Sequence, residues 1–238
     1  MRILAIADEE SKALWDFYIP DRVKDVDVIV ACGDLRAEYL EFLVTMTGIP
    51  LLYVPGNHDA KYLKNPPEGC ICIDGKVHTV NGVRFLGFGG SMKYSEGPYM
   101  HTEKEMTGKV RKAKNQIIKN GGFDILITHA PCKGHGDLDD LAHRGFNCFN
   151  ELLYRIEPPL MFHGHVHNTY QNRRFVREMR HPSGTVIVNC VDKYYYDFNE
   201  AEVKKMTRSE TSKKLRGAFN PIFGSKVSER STTGRSIL

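Results

Sequence analysis

Five short polar segments stand at or just past the ends of apolar runs: Ala7-Asp8-Glu9-Glu10, Gly33-Asp34, Gly56-Asn57-His58-Asp59, Thr128-His129-Ala130-Pro131 and Gly164-His165-Val166-His167. Carboxylate and amide oxygens and imidazole nitrogens are the ligands that hard and borderline divalent cations take. Two such cations held side by side can activate water for in-line attack on phosphorus, so the chemistry indicated is metal-assisted hydrolysis of a phosphoester. Taken singly, each residue has a plainer use. Asp8 could cap a helix, Asp34 could form a turn after its glycine, and His129 could be a buried, hydrogen-bonded histidine. The indication rests on joint occurrence: four strand ends with a ligand-type side chain, then His165 and His167 at i and i+2.

The elements that must position these residues read as an alternation of strands and helices. Ile3–Ala7, Val26–Cys32 and Leu51–Val54 are β-branched or aliphatic runs, and the apolar residues between Glu38 and Thr47 recur at helical spacing. Strand, helix, strand in this order predicts right-handed crossovers and parallel strands buried on both faces. Asn81-Gly82 between two apolar runs predicts a hairpin. Thr102 to Asn120 reads as a basic, largely solvated helix stopped by Gly121-Gly122, residues 123–128 as a buried strand, and Phe146–Ile156 as a helix closed by Pro158-Pro159. The last strands, near Phe175–Val176, Thr185–Val191 and Tyr194–Phe198, are expected to be antiparallel because their connections are hairpin-length. Strands on both sides of a helical middle predict two packed sheets with helices outside, and ligand-type residues past the strand ends can then converge on one edge.

The chain has 238 residues, enough for one substantial core. Residues 1–199 hold 24 Lys/Arg and 25 Asp/Glu, whereas residues 200–238 hold 9 and 4, so the excess positive charge lies in the tail. The expected division is a domain over 1–199 and a basic, Ser/Thr-rich tail over 200–238, partly helical or disordered. An arm for nucleic acid is not excluded there. Six cysteines without a recognisable leader read as reduced thiols of a cytoplasmic protein, and no apolar stretch approaches the length that spans a bilayer. Cys70-Ile71-Cys72 is too closely spaced for the usual zinc pair and reads as structural. Gly89-Gly90-Ser91 lacks the following lysine of a phosphate-binding loop, so tight backbone packing is the expected reason for its glycines.

In order and spacing, Gly33-Asp34, Gly56-Asn57-His58-Asp59, Thr128-His129-Ala130-Pro131 and Gly164-His165-Val166-His167 resemble the calcineurin-like metallophosphoesterase family over about residues 1–198. The resemblance implies a four-layer α/β/β/α sandwich of two mixed sheets flanked by helices, with a dinuclear site at the sheet edge. It implies a first metal on Asp8, the residue two after it, Asp34 and His167. A second would sit on Asp34, Asn57, His129 and His165, with Asp34 bridging. His58 would act on the leaving-group side of a phosphoester substrate.

The family usually has histidine two residues after the first aspartate, and here Glu10 stands there. Either Glu10 ligates, making the site more oxygen-rich and favouring manganese, magnesium or iron over zinc, with nickel a further candidate metal, or it points to solvent and the first site is weak or empty. Arg36 and His135 are further candidates for substrate contact. Gly33-Asp34-Leu35-Arg36 lacks the continuation of the protein phosphatase branch, so the expected substrate is a small or nucleotide-like monoester or diester. The alternative is a non-catalytic binding module of the same fold with a degenerate first site. Oligomeric state is not legible.

Overall fold

The computed structural model describes residues 1–167, 176–203 and 206–219. Strands β1 (Arg2–Ala7), β2 (Val28–Ala31), β3 (Leu51–Tyr53) and β4 (Ile71–Cys72) run parallel in the first sheet, with helix α1 (Ala37–Thr47) crossing between β2 and β3. Gly48 ends α1 in the left-handed conformation at φ 65°. Next come β5 (Val77–Val80) and β6 (Val83–Phe88), an antiparallel hairpin whose turn has Asn81 at φ 48° and Gly82 at φ 83°, as the sequence requires. A short parallel pair, β7 (Ser91–Met92) and β8 (Met100–His101), leads to α2 (Glu103–Lys119), started by a capping box between Thr102 and Glu105. The chain continues through β9 (Ile125–Thr128), α3 (Asn147–Ile156), β10 (Leu160–His163), β11 (Glu178–Arg180), β12 (Val186–Asn189), β13 (Asp192–Asp197) and α4 (Arg208–Lys214).

The sheets have the orders β13-β1-β2-β3-β4 and β11-β12-β10-β9-β6-β5. Residue alternation along the strands builds the layers. Ile3, Ala5, Val28, Val30, Leu52 and Val54 of the first sheet meet Phe85, Ile125, Ile127, Leu160, Phe162 and Val188 of the second in one buried cluster. The opposite face of the first sheet, with Leu4, Ile6, Ile29 and Leu51, packs on Tyr39, Leu40 and Leu43 of α1. Leu86, Phe88, Leu126 and Met161 of the second sheet pack on α2 and α3. This is the expected four-layer sandwich of two mixed sheets flanked by helices.

Three expectations change. Helix α2 is not solvated all round: Met106, Val110, Ala113 and Ile117 form a buried stripe at i, i+4, i+7 and i+11. The last strands are not a set of antiparallel hairpins. Strand β12 pairs in parallel with β10 and antiparallel only with β11, while β13 lies in the other sheet, antiparallel to β1. The two residues Cys190 and Val191 therefore carry the chain from one sheet to the other, with Cys190 N–H donating to the His163 carbonyl and Asp192 turning at φ 65°. The expected strand position Phe175 lies outside the described residues. Finally, residues 206–219 lie on the body, with Leu215 and Phe219 buried against the outer helices and Arg155 Nη1 donating to the Lys214 carbonyl; residues 220–238 lie outside the described residues.

Candidate metal centre

The parallel strands end at a common edge, and the polar segments begin there. From the first sheet, Asp8 follows β1 directly and Asp34 and Asn57 come a few residues past β2 and β3. The second sheet adds His129 after β9 and His165 after β10. Three of these residues, Asp8 (φ 62°), Asp34 (φ 56°) and His165 (φ 69°), hold the left-handed backbone conformation that L-residues seldom adopt. Such a residue costs on the order of 1 kcal/mol, and conformations of this kind concentrate where function demands a side chain in one place.

The motif glycines have a direct steric reason. A Cβ on Gly56 would lie 2.0 Å from Asp34 Oδ1, and one on Gly164 would lie 2.3 Å from Asp8 Oδ2. One on Gly33, itself at φ 93°, would lie 2.7 Å from His129 Nδ1. Each glycine lets a neighbouring strand end press a ligand-type side chain against bare backbone. Gly89 serves packing beside the site, as expected: its Cβ would meet the Pro55 carbonyl at 2.5 Å.

Among the described residues, Asp34, His129 and His165 form a three-residue group whose ligand atoms lie within 4.8 Å of one another. His129 is fully buried, and its Nδ1 lies 2.8 Å from the Cys32 carbonyl, which can only accept a hydrogen bond. That fixes the proton on Nδ1 and leaves Nε2 to face Asn57 Oδ1 at 2.9 Å and Asp34 Oδ2 at 3.3 Å. In neutral imidazole three lone-pair atoms then point at one another, an arrangement that needs a proton or a cation between them. Asn57 Oδ1 is set in this direction because Nδ2 donates to the Tyr94 hydroxyl at 3.3 Å. His165 Nε2 lies 2.8 Å from the Ala142 carbonyl, so this nitrogen carries the proton and Nδ1 is left to ligate. The donor set of oxygen, oxygen and two nitrogens fits a borderline divalent cation.

Charge follows the same geometry. Burial opposes ionisation of both Asp34 and His129, yet each holds the other charged: Asp34, also bound by His58 N–H, is lowered to about 2, and His129, with Asp8 adding to the pull, is raised to about 9. Burial and the nearby His129 push His165 down to about 3, so it stays neutral and able to ligate.

The first set is partly assembled. Both oxygens of Asp8 accept from His165 N–H, at 3.0 and 2.8 Å, which ties the two sheets together at the site. His167 Nε2 lies 3.4 Å from Asp8 Oδ1 and its Nδ1 lies 3.5 Å from Glu9. Contact with Asp8 outweighs partial burial and raises the His167 pKa. Glu10 is not brought into the group. Its carboxylate is forked by Arg36, with Nε to Oε1 at 2.7 Å and Nη2 to Oε2 at 2.5 Å. Arg36, expected near substrate, is thus engaged with Glu10 and lies over Trp15. His135 packs on His181, with ring centroids 4.6 Å apart, and His58 is exposed beside Asp34.

One residue escaped sequence reasoning as a builder of the site. Asp59 is buried, and its Oδ2 accepts from Gly56 N–H at 2.7 Å and Asp34 N–H at 2.8 Å. It clamps the Asn57-bearing loop to the turn that carries Asp34. The signal was present in the spacing, because an aspartate three residues after a glycine commonly accepts from the loop backbone.

A sandwich with carboxylate, amide and imidazole groups gathered past the carboxyl ends of strands from two sheets has the donors of a metal site where such folds bind ligands. Known proteins make this specific. The chain belongs to the calcineurin-like phosphoesterase superfamily, whose domain model matches residues 1–190. It is similar to the uncharacterized protein MJ1162 of Methanocaldococcus jannaschii, at 27% identity over 217 residues, covering 84% of this chain and 92% of that protein. It is also 26% identical over 201 residues to the UPF0046 protein K07C11.7 of Caenorhabditis elegans, covering 71% of this chain and 64% of that one. Among solved structures, TT1561 of Thermus thermophilus shares the fold with a TM-score of 0.56 and 16% identity, covering 80% of this chain and 89% of that one. No described helix is long and apolar enough to cross a membrane.

Proposed function

We propose that the chain hydrolyses phosphoesters, as a phosphatase or phosphodiesterase on a small or nucleotide-like substrate, using two divalent metal ions, with manganese, iron, magnesium, zinc and nickel as the candidates. The observation that carries the reading is the convergence of Asp34 Oδ2, Asn57 Oδ1 and His129 Nε2, which the proton on charged His129 holds together without metal and which a divalent ion can hold in its place. Asp34, Asn57, His129 and His165 would hold one ion, and Asp8, Asp34 and His167 the other. Bound divalent ions supply positive charge to the phosphoryl oxygens and lower the pKa of water.

The protein's own groups do the positioning. Cys32 and Ala142 carbonyls fix which ring nitrogen keeps its proton, so neutral His165 presents a lone pair directly and His129 does so once a cation displaces the proton on Nε2. His58 N–H holds Asp34 Oδ1, which places residue 58 next to the Asp34 carboxylate while its ring is open to solvent. From there the imidazole would give a proton to the departing oxygen. A cleft of about 300 Å³ lined by Lys93, Tyr94, Ser95, Glu96, Thr102 and Leu141 runs beside the hydroxyl that Asn57 touches, and would receive the leaving group. The test is turnover of an aryl phosphomonoester and an aryl phosphodiester with manganese, iron, magnesium, zinc or nickel added to chelator-stripped protein. Activity restored by metal is expected; none with either substrate across all the metals would overturn the reading in favour of a non-catalytic module.

A further inference from the structure

Glu10 and Arg36 are 26 residues apart and meet, each two residues past a candidate ligand, Asp8 and Asp34. Three donors of Arg36 engage both oxygens of the carboxylate: Nε and backbone N–H on Oε1, at 2.7 and 3.1 Å, and Nη2 on Oε2 at 2.5 Å. The guanidinium is held from a second side, 4.7 Å from the Trp15 ring, and Trp15 is stacked on Tyr39 and Phe42 of α1 at 5.1 and 6.2 Å. Arg36 is itself the residue that opens α1. A bidentate fork seated on an aromatic platform is a preorganised arrangement that a lysine could not reproduce. Turning Glu10 toward a cation would break all three bonds and strip the guanidinium of its counter-charge.

We propose that Arg36 withholds the Glu10 carboxylate from the metal centre, so that the chain holds one ion tightly on Asp34, Asn57, His129 and His165 and a second one loosely on Asp8, Asp34 and His167. The inference rests on the metal-dependent reading above. It makes Arg36 a positioning residue for the centre, acting through Glu10. The asymmetry is visible in the side chains: His129 is fully buried, whereas the His167 side chain is 27% exposed and leans on Asp8 and Glu9.

The test counts ions rather than turnover. Full-length protein stripped with chelator is titrated with MnCl2 while free Mn2+ is read by electron paramagnetic resonance. Wild type should show two classes of site differing by at least about tenfold in affinity. Glu10→Gln should leave both classes within about twofold of wild type, and Arg36→Gln should tighten the weak class by about tenfold as the carboxylate is released. Combining Arg36→Gln with Glu10→Gln should abolish that gain, and Arg36→Lys, which keeps the charge without the fork, should recover part of it. Loss of the weak class in Glu10→Gln would show that Glu10 ligates and overturn the inference. So would a gain that persists in the double variant, because the charge of Arg36 alone would then explain it. Absence of any Mn2+ binding would instead refute the metal-dependent reading on which the inference stands.

Discussion

Replacing Asp59 with asparagine should stabilise the metal-free protein at alkaline pH and do little at acid pH. Asp59 is 6% exposed, and burial followed by the neighbouring Asp34 charge outweighs the Gly56 and Asp34 amides, raising its pKa from 3.8 to about 6. A carboxyl whose folded pKa lies above its unfolded value stabilises the fold while protonated, and that contribution is lost as pH rises through the folded value. Between pH 4.5 and pH 8 the wild type should lose about 2 kcal/mol through this group alone. Asparagine keeps an oxygen to accept both amides on the atom that now does so, but it carries no charge and does not titrate. Any fixed cost of fitting the amide is the same at both pH values and cancels in the difference. Urea denaturation of both proteins in chelator at pH 4.5 and 8 measures it directly. The asparagine variant should gain about 2 kcal/mol on wild type between the two pH values, equivalent to several degrees in Tm. An unchanged difference between the proteins would refute the account of Asp59 as a buried carboxylate kept ionised at a cost.

Other outcomes follow from the same geometry. His58→Ala should cut phosphoester turnover by about a hundredfold or more while leaving bound metal unchanged, since only the exposed ring is removed and the amide that holds Asp34 stays; equal loss of metal and turnover in elemental analysis and kinetics would refute the role. Gly164→Ala should weaken binding at Asp8, because its Cβ would intrude on that carboxylate, and metal counting should show loss of one ion before the other. Asp124→Ala should destabilise the fold by about 3 kcal/mol or more, because it removes the fully buried carboxylate to which Arg84 Nε and Nη2 now donate at 2.9 and 2.7 Å; denaturant midpoints measure this.

Much of the fold was legible because each layer writes its own period. The first strands read as continuous apolar runs since both faces are covered, and Asn81-Gly82 announced its hairpin through two positive φ values. Asp8, Asp34, Asn57, His129 and His165 were legible as a set because each follows a strand that stops at one edge. What stayed hidden depends on long-range pairing. Nothing local in Glu10 or Arg36 reports that they meet, and the guanidinium that holds Glu10 lies over Trp15, which neither residue adjoins in sequence. Strand direction near the C-terminal end was misread for a related reason. A two-residue connection normally implies a hairpin, but here it spans the gap between sheets.

That crossing bears on how the chain is made. Strand β1 pairs along its whole length with β13, Arg2 opposite Asp197 and Ala7 opposite Asp192. Strand β1 therefore waits for β13 before its outer edge is covered. During synthesis a chain that has emerged only to residue 190 carries every residue matched to the family domain, yet presents the unpaired edge of an apolar strand to its surroundings. Vectorial folding of this sheet closes with β13, and until residues 192–197 appear the edge of β1 is open to pairing with a wrong neighbour.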